Sequence, residues 1–209
     1  MQELIEKAYA YVEKTLVENL ARHETVISKT KRFIRYDRFY HIQRVTAWAN
    51  RIADELNSNY TDEAAVVIDR ECLHLASILH DVGYNAYHIS ENHSEAGVVL
   101  AEKFLTEEGV DEKKKEKILD LIRLHSRKDL MFEKDTPIEL VVLMEADLMD
   151  DMGATGLVMD AWINTRMNQD ATSFDTIFEH MQRYTQKQQQ AEPMRTEPAK
   201  RFWGEKQEL

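Results

Sequence analysis

LHLASILHDVGY, residues 73–84, is an apolar run that ends in a histidine and a carboxylate set back to back. Its length and composition predict a strongly apolar helix ending near His80, and Gly83 stops it. A helix that apolar belongs at the centre of a bundle rather than on its surface. His80 and Asp81, at its end, are placed to hold one metal ion from two sides. Only six Gly and three Pro occur in 209 residues, and the periodic segments around this run are long, which favours an all-α protein.

Working outward, Leu4, Ala8, Val12, Leu16 and Leu20 recur at fourfold spacing and predict an amphipathic helix over about 2–26. The same pattern covers 36–57 through His41, Val45, Trp48, Ile52 and Leu56. A segment opening at Asp62-Glu63 leads into the central helix, and GYNAYHISEN (83–92) reads as a loop. Ser90 is expected to cap a helix that His93 opens and Gly109 closes; Asp111 caps the next, which carries His125. After the loop SRKDLMFEKD (126–135), Pro137 fits the first turn of a helix containing Asp147. Gly153 and Gly156 are expected to loosen the chain, and a final helix runs from Phe174 into a solvated Gln-rich stretch, 186–190. The expected organisation is an N-terminal helix (1–27) packed on a core domain (28–160) holding every candidate ligand, then a helical extension (161–209).

His41 stands 39 residues before His80, and Asp147 stands 66 after Asp81, each in its own helical segment. Neutral imidazole and carboxylate suit divalent ions such as Mn, Mg, Co, Ni, Fe or Zn, and His41, His80, Asp81 and Asp147 give enough ligands while leaving a position open. Such an ion lowers the pKa of its water and screens phosphate charge. His93 and His125, each one helix further on, would serve a second ion bridged by Asp81, whose carboxylate is also a catalytic candidate for orienting the attacking water. Arg44, three residues after His41, and Lys128, three after His125, are candidate catalytic cations for a phosphate group. His88 lies in the loop beside the site and is a candidate substrate contact. The run KKKEK (113–117) reads as a solvated face, and Cys72 as a small core residue.

The formal charge of −11 argues against habitual nucleic-acid binding, because polyanion recognition relies on Lys and Arg. A small phosphorylated substrate remains compatible, since a bound dication reverses the local field. One cysteine forbids an internal disulfide and points to a reducing compartment. No apolar run approaches the roughly 20 residues of a membrane span, and the N-terminus is charged and amphipathic, so a cytoplasmic location without membrane association is expected. The oligomeric state is open, with a homodimer among the options.

The ordered set resembles that of the HD-domain metal-dependent phosphohydrolase superfamily over roughly residues 38–160. ILHDVGY resembles its doublet, HIQRV (41–45) its first histidine helix, and EADLMDDMGATG (145–156) its terminal aspartate helix. The last is similar to A-D-x-L-D-x-x-G-A-x-G of a predicted HD hydrolase subgroup, as MRTEPAK (194–200) is to that subgroup's M-x-T-x-x-A-K. HSEAG (93–97) resembles the extra histidine of dinuclear members, and His125 falls where their next one lies. The resemblance implies a single all-α HD-domain bundle and metal at His41, His80, Asp81 and Asp147. Departures are Leu148 where the subgroup often has Arg, Met149 in place of its usual Leu, and Tyr84 where some nucleotidases carry a Glu proton donor. No GYP run accompanies the doublet, which argues against cyclic dinucleotides. The leading expectation is hydrolysis of a phosphate ester or anhydride of a small metabolite, a nucleotide first. A di-iron HD-fold oxygenase and a non-catalytic metal-binding regulator are the alternatives.

Overall fold

The central helix starts where a cap allows it. Asp69 accepts a hydrogen bond from Cys72 N and caps Arg70–Leu79, so the helix opens after Asp62-Glu63, which lie outside the described residues. The computed structural model describes residues 2–23, 33–58, 67–167, 173–185 and 193–208. Among these no strand occurs, and the α-helices are α1 (Gln2–His23), α2 (Phe33–Ser58), α3 (Arg70–Leu79), α4 (His93–Glu107), α5 (Glu112–Leu124), α6 (Ile138–Asp150), α7 (Gly153–Met167), α8 (Phe174–His180) and α9 (Glu197–Gln207).

Seven consecutive-face residues of α3, Cys72, Leu73, Leu75, Ala76, Ser77, Ile78 and Leu79, are buried, which leaves it almost no solvent side. It packs against α1, α2, α5 and α6, while α2 and α6 form the most extensive helix pair and α4 lies along α5. Burial raises the Cys72 thiol to about 12, so it behaves as a small apolar group. From α1, Ala8, Val12 and Leu16 enter the core, and Tyr11 stacks on Phe104 of α4. Buried Asn19 donates to the carbonyls of Val82 (3.1 Å) and Tyr84 (3.2 Å), so α1 pins the turn that follows the His-Asp doublet.

Several local expectations change. Asn92, not Ser90, caps α4 by accepting from Ser94 N; the Ser90 hydroxyl instead accepts from Asn92 N. Pro137 stands one place before α6, at its cap. Gly153 (φ 71°) and Gly156 do not loosen the chain: they let α7 start immediately after α6, since a Cβ on Gly156 would meet the Asp151 carbonyl at 2.0 Å. The helix from Phe174 ends in a π turn (Met181–Thr185), the Gln-rich stretch lies outside the described residues, and α9 follows. The run 113–117 is not simply solvated, because Lys114 pairs with Glu71 and Lys117 reaches buried Glu139 at 2.9 Å, tying α5 to α3 and α6. Of the expected domain limits, residue 27 lies outside the described residues and 160/161 falls inside α7.

The MRTEPAK segment acquires a physical role. Thr196 caps α9, and Glu145, fully buried on α6, accepts from Arg195 N (2.7 Å), Thr196 N (2.6 Å) and the Thr196 hydroxyl (2.7 Å). This clamp sits two residues before Asp147. Glu145→Gln removes the charge and one acceptor site, and is expected to cost about 2 kcal/mol in urea unfolding. A loss below a few tenths would mean that the clamp contributes little.

Candidate metal centre

Three histidines reach the site with the same preparation. His80 follows the last turn of α3, and its Nδ1 lies 2.8 Å from the Ser77 carbonyl. His125 follows α5, with Nδ1 2.6 Å from the Ile122 carbonyl. A carbonyl can only accept, so both Nδ1 atoms carry the proton and both Nε2 lone pairs face outward. On α2, His41 Nδ1 is held 2.7 Å from Asp150 Oδ2, which likewise presents Nε2.

The presented nitrogens meet two carboxylates. His41 Nε2 lies 3.1 Å from Asp147 Oδ1 and 3.6 Å from Asp81 Oδ2; His80 Nε2 lies 3.5 Å from Asp81 Oδ2 and 3.9 Å from Asp147 Oδ1. Both Nε2 atoms are buried, and neither has a hydrogen-bond partner. Unpartnered buried polar atoms are costly, and two aimed at the same carboxylates fit a divalent cation that supplies the missing partner. On the far side, Asp81 Oδ1 lies 3.4 Å from His93 Nε2 and 3.6 Å from His125 Nε2. Two compact donor sets result, His41/His80/Asp147 and His80/Asp81/His125, each within 4.8 Å. All six expected ligands therefore converge, with His80 common to both sets rather than confined to the first.

The expected cations are already engaged. Arg44 places Nε 2.6 Å and Nη2 2.9 Å from the two oxygens of Asp150, and so steadies the carboxylate behind His41. Lys128 Nζ lies 2.7 Å from Asp147 Oδ2. His88 is exposed and lines, with Tyr11, Asn19 and Leu100, a cavity of about 280 Å³. Sequence reasoning passed over three neighbours. Arg38 Nη1 lies 2.5 Å from Asp81 Oδ2, with its guanidinium 3.9 Å from the centre of the Tyr84 ring. Asp150 holds His41. The Ser126 hydroxyl lies 3.2 Å from His93 Nε2, 3.3 Å from His125 Nε2 and 2.7 Å from the Ser94 hydroxyl. The available signals were helical spacing: Arg38 is three before His41, and Asp150 three after Asp147.

Electrostatics follow from these pairings. Burial opposes ionisation of Asp81 and Asp147, yet Arg38 beside one and Lys128 beside the other hold both well below the usual carboxylate range. Burial pushes His80 down to about 4. Burial opposes charge on His41 too, but the carboxylates of Asp147 and Asp150 outweigh it and raise the imidazole to about 9. His41 thus contributes stability that is present below its ordinary 6.5 and fades as pH rises to about 9. His80 acts in the opposite sense, its contribution present above 6.5 and lost as pH falls toward about 4. An entering ion needs His41 neutral, so binding at neutral pH is expected to release about one proton, with apparent affinity rising roughly tenfold per pH unit up to about 9. Calorimetry in buffers of different ionisation enthalpy reads that proton directly, and binding without release would contradict the assignment.

Comparison with known proteins agrees with this architecture. Bacillus subtilis YpgQ superposes with a TM-score of 0.67 at 17% identity, covering 99% of this chain and 89% of that one. A structure of YpgQ in complex with ADP gives 0.62 at 17% identity, over 98% and 90%. An HD-superfamily hydrolase from Bacillus thuringiensis gives 0.64 at 23% identity, over 99% and 90%. At these identities the likeness establishes the fold. A search of curated proteins finds no match. A family model for the HD domain matches residues 38–152, more than half of the 209 residues and the span that carries all six converging residues, and the chain belongs to the HD domain family.

Proposed function

We propose that the protein is a divalent-metal-dependent phosphohydrolase acting on a small phosphorylated metabolite, a nucleotide in the first instance. One observation carries this reading: the two buried Nε2 atoms of His41 and His80, without hydrogen-bond partners, converge on Asp81 and Asp147. Those four residues would hold the ion. When bound, it would lower the pKa of a water and offset phosphate charge. The chain's own residues supply the rest. Nδ1 contacts fix each imidazole, Arg44 and Asp150 steady His41, and Lys128 on Asp147 stands beside the site as a phosphate contact. The ADP found with YpgQ, a protein of the same fold, supports a nucleotide as the first substrate to try.

A second reading has its own observation. His93 and His125 face Asp81 Oδ1, so a second ion has donors, which suits a di-iron oxygenase as well as a dinuclear hydrolase. Metal content of the purified protein, with phosphate release from a nucleotide panel under Mn, Mg, Co and Ni, separates them. Metal-dependent phosphate release is expected. Two bound irons with oxygen consumption and no phosphate release would favour the oxygenase, and no bound metal with no turnover would remove both.

A further inference from the structure

The two carboxylate ligands hold their cations in different ways. Lys128 sits on Asp147 Oδ2, whereas the oxygen facing His41 and His80 is Oδ1. An ion on Oδ1 leaves that lysine where it is. Arg38 sits on Asp81 Oδ2, the same oxygen that faces His41 at 3.6 Å and His80 at 3.5 Å. Ion and guanidinium therefore compete for one oxygen atom.

Asp81, Asp147 and Asp150 are matched one to one by Arg38, Lys128 and Arg44. A divalent ion entering among these matched pairs adds positive charge that none of the three carboxylates is free to offset, concentrated where the displaced guanidinium ends. Arg38 keeps a quarter of its side-chain surface open, while Asp81 is almost closed to solvent. The Tyr84 ring supports one face of the guanidinium through a cation–π contact, so it need not leave the site when its carboxylate is taken. A planar fork of N–H donors beside a dication suits a phosphate dianion.

We propose that Arg38 is a phosphate-recognition residue held on Asp81 in the ion-free protein and transferred to the phosphate group of the substrate when an ion takes Asp81 Oδ2. It rests on the phosphohydrolase reading. Ion and phosphate then bind cooperatively, and Arg38 weakens the first while strengthening the second. General damage to the site would weaken both, so the two effects have opposite signs only if the exchange operates.

The test is calorimetric titration of Mn²⁺ with and without methylphosphonate, a phosphate-like anion with no ester to hydrolyse, on the wild type, Arg38→Gln and Arg38→Lys. In the wild type each ligand tightens the other by the same factor. In Arg38→Gln, Mn²⁺ alone is expected to bind about tenfold tighter and the coupling to methylphosphonate to fall about tenfold, the scale of one charge-assisted contact. Arg38→Lys is expected to recover part of the coupling, and its thermal melt with Mn²⁺ reports that the fold is kept. Mn²⁺ binding that is unchanged or weaker in Arg38→Gln, or coupling that is unchanged, overturns the role of Arg38 while leaving the hydrolase reading intact. Failure of the wild type to bind Mn²⁺ overturns the hydrolase reading and this inference with it.

Discussion

Asp81→Asn is expected to lower metal-dependent phosphate release by roughly three orders of magnitude and ion affinity by more than about a hundredfold. Both oxygens of Asp81 are committed, Oδ2 toward His41 and His80 and Oδ1 toward His93 and His125, so one substitution touches both candidate ion positions. Asparagine keeps the shape and can still accept from Arg38, which limits the cost in stability of the ion-free protein to about 1–2 kcal/mol. The sharper readout is linkage. Mn²⁺ at about 100 times its dissociation constant stabilises the wild type by about 2.7 kcal/mol, and that gain should fall below about 0.4 kcal/mol in the variant. Equal Mn²⁺-induced stabilisation of both proteins would show that Asp81 is not a ligand.

Gly83→Ala is expected to be strongly destabilising for a single added methyl, costing about 4 kcal/mol or preventing folding. A Cβ there would lie 2.2 Å from both Gly97 N and His93 O, and neither backbone atom can rotate away. Relief requires α4 to move off the doublet turn, which takes His93 away from Asp81. Partly folded variant protein should therefore also lose the second ion if two are bound. Gly109→Ala is the contrast: its φ of 69° is strained for alanine, but nothing lies within 4 Å of an added Cβ, so about 1 kcal/mol is expected. Chemical unfolding of the pair separates a steric from a conformational requirement, and equal costs would contradict the close approach.

The converging histidines and aspartates were legible because metal chemistry restricts residue type, and because each falls where a helix can aim it. His41, His80, Asp81 and Asp147 appear in order, in separate helical segments, and the fold brings them together. Arg38, Asp150 and Ser126 were not legible. An arginine three residues before a ligand shares its helix face, but so did Arg44, and only the packing of α2 on α6 sends Arg44 to Asp150 and leaves Arg38 on Asp81. Gly83 was read as a helix breaker from its lack of a side chain. Its tighter constraint is the approach of α4, a contact with a segment 10–14 residues away.

Local order in the chain determined the all-α class, the apolar central helix and which four residues were candidates to converge, since periodicity and donor type are properties of neighbouring residues. Tertiary structure alone decided that His80 is common to both donor sets, that Asp81 turns one oxygen to His41 and His80 and the other to His93 and His125, and that Arg38 sits on the first of those oxygens. Those relations depend on distances between side chains from different helices, set by how α2, α3, α5 and α6 pack, and no spacing along one chain encodes them directly.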